Sequence, residues 1–208
     1  MTTPSRRELV LALAIIATAL FLSGIAPYDR FTWFLEVTPV LVGIPVLYFN
    51  WHRFALTRLA TWLLVVHALI LILGGAYTYA RVPLGFWMED WFGFTRNHYD
   101  RIGHLAQGFV PAILAREILI RLVRLNRGFW LFLLVTCVCL AISAFYELIE
   151  WWTALASGAA ADAFLGTQGD VWDTQWDMFL ALTGAIAAQL LLGRVHDRQL
   201  GVVPANGR

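Results

Sequence analysis

Six stretches of this chain are long and apolar enough to cross a lipid bilayer as helices, and they decide most of what it can fold into. They run at about 9–26, 34–51, 57–80, 100–123, 128–152 and 176–193. A hydrocarbon core about 30 Å thick takes about 20 residues of helix to span. The runs are too long for barrel strands and do not alternate with period two. In hydrocarbon every backbone N–H and C=O needs a partner, and a helix supplies its own. The third run is the cleanest; the second carries Pro39 and Pro45, and the fourth is the most polar and carries Pro111. The expected fold class is all-α, a polytopic membrane bundle of about six transmembrane helices.

Composition agrees with this reading. Of 208 residues, 60% are apolar and 14% charged, where soluble domains carry about 25% charge. A net charge of +1 gives no basic excess for phosphates, so no nucleic-acid partner is expected. Arg6 and Arg7 precede the first run as they would a signal peptide, but no small-x-small cleavage site follows, so a retained anchor is expected. There is no internal repeat, low-complexity tract or long linker, which makes residues 1–208 a single integral membrane domain. Nine of the ten tryptophans, all but Trp62, fall near expected helix ends or in loops, as an aromatic belt would.

Six spans bring both termini to one side. Eleven arginines share that side: Arg6, Arg7, Arg53, Arg58, Arg116, Arg121, Arg124, Arg127, Arg194, Arg198 and Arg208. Only Arg30, Arg81, Arg96 and Arg101 lie opposite. The positive-inside rule therefore assigns both termini to the cytoplasm. The acids run the other way. Glu8, Glu117 and Asp197 lie inside, and the remaining eleven of fourteen lie toward the outside. Asp29, Glu89, Asp90 and Asp162 read as solvated loop residues.

Of the other seven outward acids, all but Glu36 gather around one histidine. Asp100 and His104 are four apart at the outer start of the fourth span, so a helix puts them on one face, with Gln107 a turn further. Glu147 and Glu150 are three apart near the outer end of the fifth span, followed by Trp151 and Trp152. Asp170, Asp173 and Asp177, at i, i+3 and i+7, lead into the sixth on one helical face. No basic residue lies from Gly128 to Gly193 to neutralise the last two groups. Short connections make consecutive spans neighbours, which would place these side chains in one outward-facing pocket.

Oxygen ligands with one imidazole suit a divalent cation, Zn, Mg, Mn or Ca. His104, Glu147, Glu150, Asp170, Asp173 and Asp177 are the expected metal ligands. His104, Asp100 and Glu147 are the expected catalytic groups: His104 as ligand or general base, Asp100 orienting its imidazole, and Glu147 trading protons. Arg96 and Arg101 flank the pocket and are expected to pair with Asp100 and its neighbours. Helix capping and plain hydration remain the alternative for every acid here. His67, alone in mid-span, reads as a satisfied core residue. Cys137 and Cys139 are not a CxxC and point to different faces, and Glu117 with Arg121 reads as an ordinary i,i+4 pair.

Three segments carry a resemblance. Asn97-His98-Tyr99-Asp100-Arg101-Ile102-Gly103-His104 with Ala106-Gln107-Gly108-Phe109-Val110-Pro111, Tyr146-Glu147-Leu148-Ile149-Glu150-Trp151-Trp152, and the run from Phe164 to Met178 resemble the bacterial YjdF inner-membrane protein family. The resemblance implies a multi-span protein of the bacterial inner membrane and no defined activity. The chain is also similar, more faintly, to VanZ-like membrane proteins. Asp100 with His104, Glu147 or Glu150, and Asp177 with Gly184 match their pattern, but Ala181 stands where that pattern has Asn.

Three functions fit these residues. The first is a divalent-metal-dependent enzyme or ligand-binding protein acting on a lipid-linked or envelope substrate. The second is an ion-coupled transporter, the third a structural or accessory envelope protein. Membrane lipids are the expected partners, with a lipid-linked or small-molecule ligand under the first reading.

Overall fold

The computed structural model describes residues 1–158 and 162–201. Arg208, counted above with the cytoplasmic arginines, lies outside them, and so does the side chain of Asp162. The described residues are all helix and connection: α1 (Arg6–Ile25), α2 (Arg30–Asn50), α3 (Arg58–Tyr77), α4 (Pro83–Phe92), α5 (Tyr99–Arg121), α6 (Phe129–Ser157), α7 (Asp162–Leu165) and α8 (Asp173–Leu200).

Local signals set several of these ends. Ser5 and Glu8 form a reciprocal capping box at α1. Asp29 and Thr57 cap α2 and α3 by accepting the backbone N–H of Thr32 and Ala60. Pro83 opens α4, and Gly93 closes it with a left-handed φ of 69° that glycine takes without strain.

Five helices, α1, α2, α3, α6 and α8, are long and apolar enough to cross a membrane. The fourth expected span, α5, is too polar to qualify by composition, but the chain ends require it to cross. Thr2 N donates to Gln199 O at 2.6 Å and Arg58 N to Thr2 O at 3.0 Å, so both ends of the chain meet at one end of the bundle. That needs an even number of crossings. At 10 and 4 residues, α4 and α7 are too short to cross. At 23 residues, or about 34 Å, α5 is long enough.

Its polarity is tolerated because α5 is the central helix, packed on α3, α6 and most extensively on α8. The α5–α8 crossing is close because glycines face it. A Cβ at Gly108 would overlap the Ala181 carbonyl, and one at Gly184 would overlap the Leu105 carbonyl. The main core joins Ala60 of α3, Ala112 and Ile113 of α5, Val135 and Cys139 of α6, and Ala185 and Ala188 of α8. A second cluster holds α1 and α2 on α3 through Ile16, Val37, Val65 and Ile72. The outward rim of side chains is apolar, as at Phe21, Phe49, Leu155 and Leu191.

Three features differ from the sequence reading. Glu89 and Asp90 lie on a short helix, α4, not in a loop. Asp29 is a helix cap. Trp87, Trp91, Trp130, Trp151, Trp152 and Trp172 are exposed as a belt requires, but Trp33 and Trp51 pack inward with Trp62. Trp33 Nε1 donates to Ser23 Oγ at 3.0 Å, which ties α2 to α1.

Candidate functional site

The end opposite the chain termini is built around His104. The imidazole is buried on α5. Its Nε2 lies 3.4 Å from Asp100 Oδ1 and 3.7 Å from Asp177 Oδ2. Its Nδ1 lies 3.0 Å from Gln107 Oε1 and 3.9 Å from Glu147 Oε1. Asp100, His104 and Gln107 share a face of α5, as the spacing predicts. Glu147 and Glu150 enter from α6, and Asp177 from α8 across the glycine crossing. One ligand atom from each of Asp100, His104 and Asp177 lies within 4.8 Å of the others, and the same holds for His104, Glu147 and Glu150. One histidine thus serves two carboxylate sets.

The bonding around it is incomplete. Asp177 is 2% exposed and Glu147 8%, yet Asp177 Oδ1 and Glu147 Oε1 have no hydrogen-bond partner among the described residues. Buried carboxylate oxygens in native proteins are nearly always partnered. The Nε2 separations are also too long for good hydrogen bonds, which fall between about 2.7 and 3.2 Å. They match another geometry. Two ligand atoms about 2.1 Å from a common ion, at a tetrahedral angle, are about 3.4 Å apart.

Asp170 and Asp173 stand apart from both sets. Asp170 precedes α8, so the single helical face expected for Asp170, Asp173 and Asp177 does not form. Arg96 pairs with Asp173 at 2.7 Å and Asp170 at 3.3 Å, and Arg101 pairs with Asp170 at 2.9 Å. The basic partners missing from the segment 128–193 thus come from the loop before α5 and its first turn. They take Asp170 and Asp173, not Asp100 as expected. The same arginine ties down the chain before α8, since Arg96 Nη1 donates to Thr167 O at 2.8 Å. Gln168 adds a two-way clamp, accepting from Asn97 N at 3.1 Å and donating to Asn97 O at 2.8 Å. Beside these arginines His98 is held below its ordinary pKa of 6.5, by partial burial first and then by the charges of Arg101 and Arg96.

A cavity of about 220 Å³ opens beside His104, between α2, α3, α5 and α6. Glu36, His67, Tyr79, Asp100, Gln107, Tyr146 and Glu150 supply its polar lining. Glu36, 5% exposed, accepts from Tyr146 Oη at 3.3 Å. By sequence Glu36 is one outward acid apart from the cluster. Its signal was an acid inside an apolar span, by itself a mark of function. His67 is not the satisfied core residue expected, because its buried Nε2 has no partner. Tyr79 is wedged between α3 and α5, where a Cβ at Gly103 or Gly74 would overlap its ring.

The end beside the chain termini holds a second buried polar group, and this one is complete. Glu117 and His196 are both 0% exposed. Glu117 accepts from Thr57 N at 3.0 Å and Thr57 Oγ1 at 2.7 Å, and pairs with Arg121 at 2.6 Å. His196 Nε2 lies 3.1 Å from Glu117 Oε2, and its Nδ1 lies 3.1 Å from Arg116 Nη1. Arginine only donates, so Nδ1 accepts and Nε2 carries the proton donated to Glu117. Asp197 pairs with Arg116 at 2.7 Å and Arg127 at 3.0 Å. Glu117 with Arg121 is therefore one edge of a larger network that ties α3, α5 and α8 together. No local spacing points to His196, 79 residues away from Glu117.

The fold and the arrangement of charge define a helical membrane protein with one carboxylate-rich polar end. Residues 8–198 match the family described as "Predicted membrane protein (DUF2238)". The chain is 50% identical to the inner membrane protein YjdF of Escherichia coli (strain K12) over 200 residues, 95% of this chain and 96% of the relative. The chain belongs to this YjdF family of inner-membrane proteins. No solved structure matches it.

Proposed function

We propose that the protein binds a divalent cation at His104, inside the outward-facing end of the bundle. His104, Asp100 and Asp177 would hold the ion, with zinc the ion that a mixed imidazole and carboxylate set at this spacing suits. Glu147 and Glu150, on the other edge of the imidazole, would take protons from what the ion binds. Gln107, at Nδ1, would fix the ring so that Nε2 faces the ion. Asp170 and Asp173 would anchor the chain over the site through Arg96 and Arg101. Such a centre, opening to the outer leaflet, fits an enzyme or binding protein whose substrate is lipid-linked or part of the envelope.

The observation that carries this reading is the placement of Nε2. It sits 3.4 and 3.7 Å from two carboxylates, and the second of these keeps an oxygen buried and unpartnered. Elemental analysis of the purified protein, followed by zinc titration after chelation, tests it. One ion per chain is expected, lost in His104→Ala and weakened at least tenfold in Asp177→Asn. Equal metal content in the wild type and both variants would overturn the reading.

A further inference from the structure

We propose that the cavity beside His104 is the seat of a small organic ammonium group, entering sideways from the membrane between α2 and α6. This deepens the reading above, and rests on it for the outward position of the site.

Charge is the first argument. Three carboxylates, Glu36, Asp100 and Glu150, line a space of about 220 Å³ from three different helices. No arginine lines it. The two nearest in the chain, Arg96 and Arg101, are committed to Asp170 and Asp173. With Asp100 engaged by the cation, Glu36 and Glu150 still face this space with negative charge, which an ammonium would neutralise.

Hydrogen-bonding capacity is the second. An ammonium brings donors and no acceptor, and these walls are rich in acceptors. Beyond the carboxylates, Pro39 and Pro111 both line the cavity. Proline has no N–H, so neither returns the helix bond to the carbonyl four residues earlier, at Leu35 and Gln107. His67 Nε2 is buried there without a partner. Glu36 has one long bond, 3.3 Å from Tyr146, and an incoming N–H can shorten its bonding.

Access is the third. Helix α2 packs on α3, and α6 packs on α5 and α8, while α2 and α6 are joined chiefly through the short α7, which touches both. Glu36 and Tyr146 meet across the gap between them. A headgroup would enter beside α7 with its tails in the bilayer, and a free amine would reach the same space. Size suits both, since a two-carbon amino alcohol fits easily within the cavity.

The test uses ethanolamine as the free probe and nanodiscs of equal phosphatidylethanolamine and phosphatidylglycerol as the lipid source. Wild-type protein in detergent is titrated with ethanolamine by calorimetry, and lipid retained from the nanodiscs is read by native mass spectrometry. Saturable ethanolamine binding, weakened at least tenfold by Glu36→Gln with zinc stoichiometry unchanged, is the expected result. Selective retention of phosphatidylethanolamine, lost in Glu36→Gln, identifies the lipid as the source. Ethanolamine binding without lipid selection identifies a free amine. Asp177→Asn separates this inference from the cation site, because it should weaken zinc binding at least tenfold and keep Glu36-dependent amine binding. Wild-type protein that binds neither ethanolamine nor phosphatidylethanolamine selectively overturns the inference, whatever the zinc result. So does a Glu36→Gln protein that elutes as a single wild-type-like peak and binds as tightly.

Discussion

The two ends of this bundle bury the same kinds of side chain and treat them in opposite ways. Beside the chain termini, Glu117 and His196 are sealed from solvent, and each has charged or hydroxyl partners at hydrogen-bonding distance. At the other end, His104 lies among Asp100, Glu147 and Asp177 at 3.4 to 3.9 Å, with two carboxylate oxygens left bare. The sealed end has three arginines, Arg116, Arg121 and Arg127, among two carboxylates. The open end has its two arginines drawn outward to Asp170 and Asp173. Buried polar groups stabilise a fold only when satisfied, and a half-satisfied cluster is unfavourable unless something else completes it. One end is therefore a clasp, and the other is the proposed cation site.

The comparison can be broken most directly at the clasp. Glu117→Ala should leave His196, Arg121 and the Thr57 N–H facing an empty space, at a loss of about 3–5 kcal/mol. Thermal unfolding in detergent measures it, and a loss under about 1 kcal/mol would mean the clasp does not hold the termini end together. Next in size is the response of the open end to zinc. At a hundredfold excess over the dissociation constant, a bound ion should stabilise the protein by about 2.7 kcal/mol. The same melt on His104→Ala should show no zinc response; an equal shift there would place the ion elsewhere.

Arg96→Ala probes the border between the regions. It unpairs Asp173, which is 5% exposed, and releases Thr167, so a loss of about 2 kcal/mol is expected. Limited proteolysis between α7 and α8 should quicken in that variant, and an unchanged rate would count against the clamp. Asp177→Asn should have the reverse sign, unchanged or more stable by up to about 1 kcal/mol without metal, because it removes one of several like charges. A clear destabilisation would class Asp177 with the clasp.

The smallest effect concerns pH. His98, outside the spans, titrates below 6.5 in the folded chain because burial and the charges of Arg101 and Arg96 disfavour its cation. Its contribution is full above pH 6.5 and fades as pH falls below that value, where the unfolded chain takes up the proton first. His98→Gln should flatten that stretch of the stability profile, and an identical profile would remove His98 from the account.

The open end was largely legible in the sequence, and the clasp was not. Asp100, His104 and Gln107 share one helix, so spacing alone puts them on one face. Glu147 and Glu150 stand out as acids in an apolar run. Glu117 and Arg121 carry the same i,i+4 signature as many unimportant surface pairs, and His196 lies on a helix with no local pattern linking it to them. Asp170 and Asp173 show the opposite failure. Their spacing fits a helical face, but α8 begins at Asp173, and their partners, Arg96 in the loop before α5 and Arg101 in its first turn, lie 69 to 77 residues earlier in the chain.

The sequence by itself determined the apolar spans, the charge asymmetry between the two ends and the helix faces of Asp100, His104, Glu147 and Glu150. These follow from bilayer thickness, backbone hydrogen bonding and helical period, all local or additive along the chain. Only the tertiary structure decided which acids are satisfied. The close α5–α8 crossing at Gly108 and Gly184 brings Asp177 to His104, and the turn before α5 aims Arg96 away from it. Charge compensation between distant helices depends on angstrom-scale separations, and no pattern along one strand of sequence encodes those.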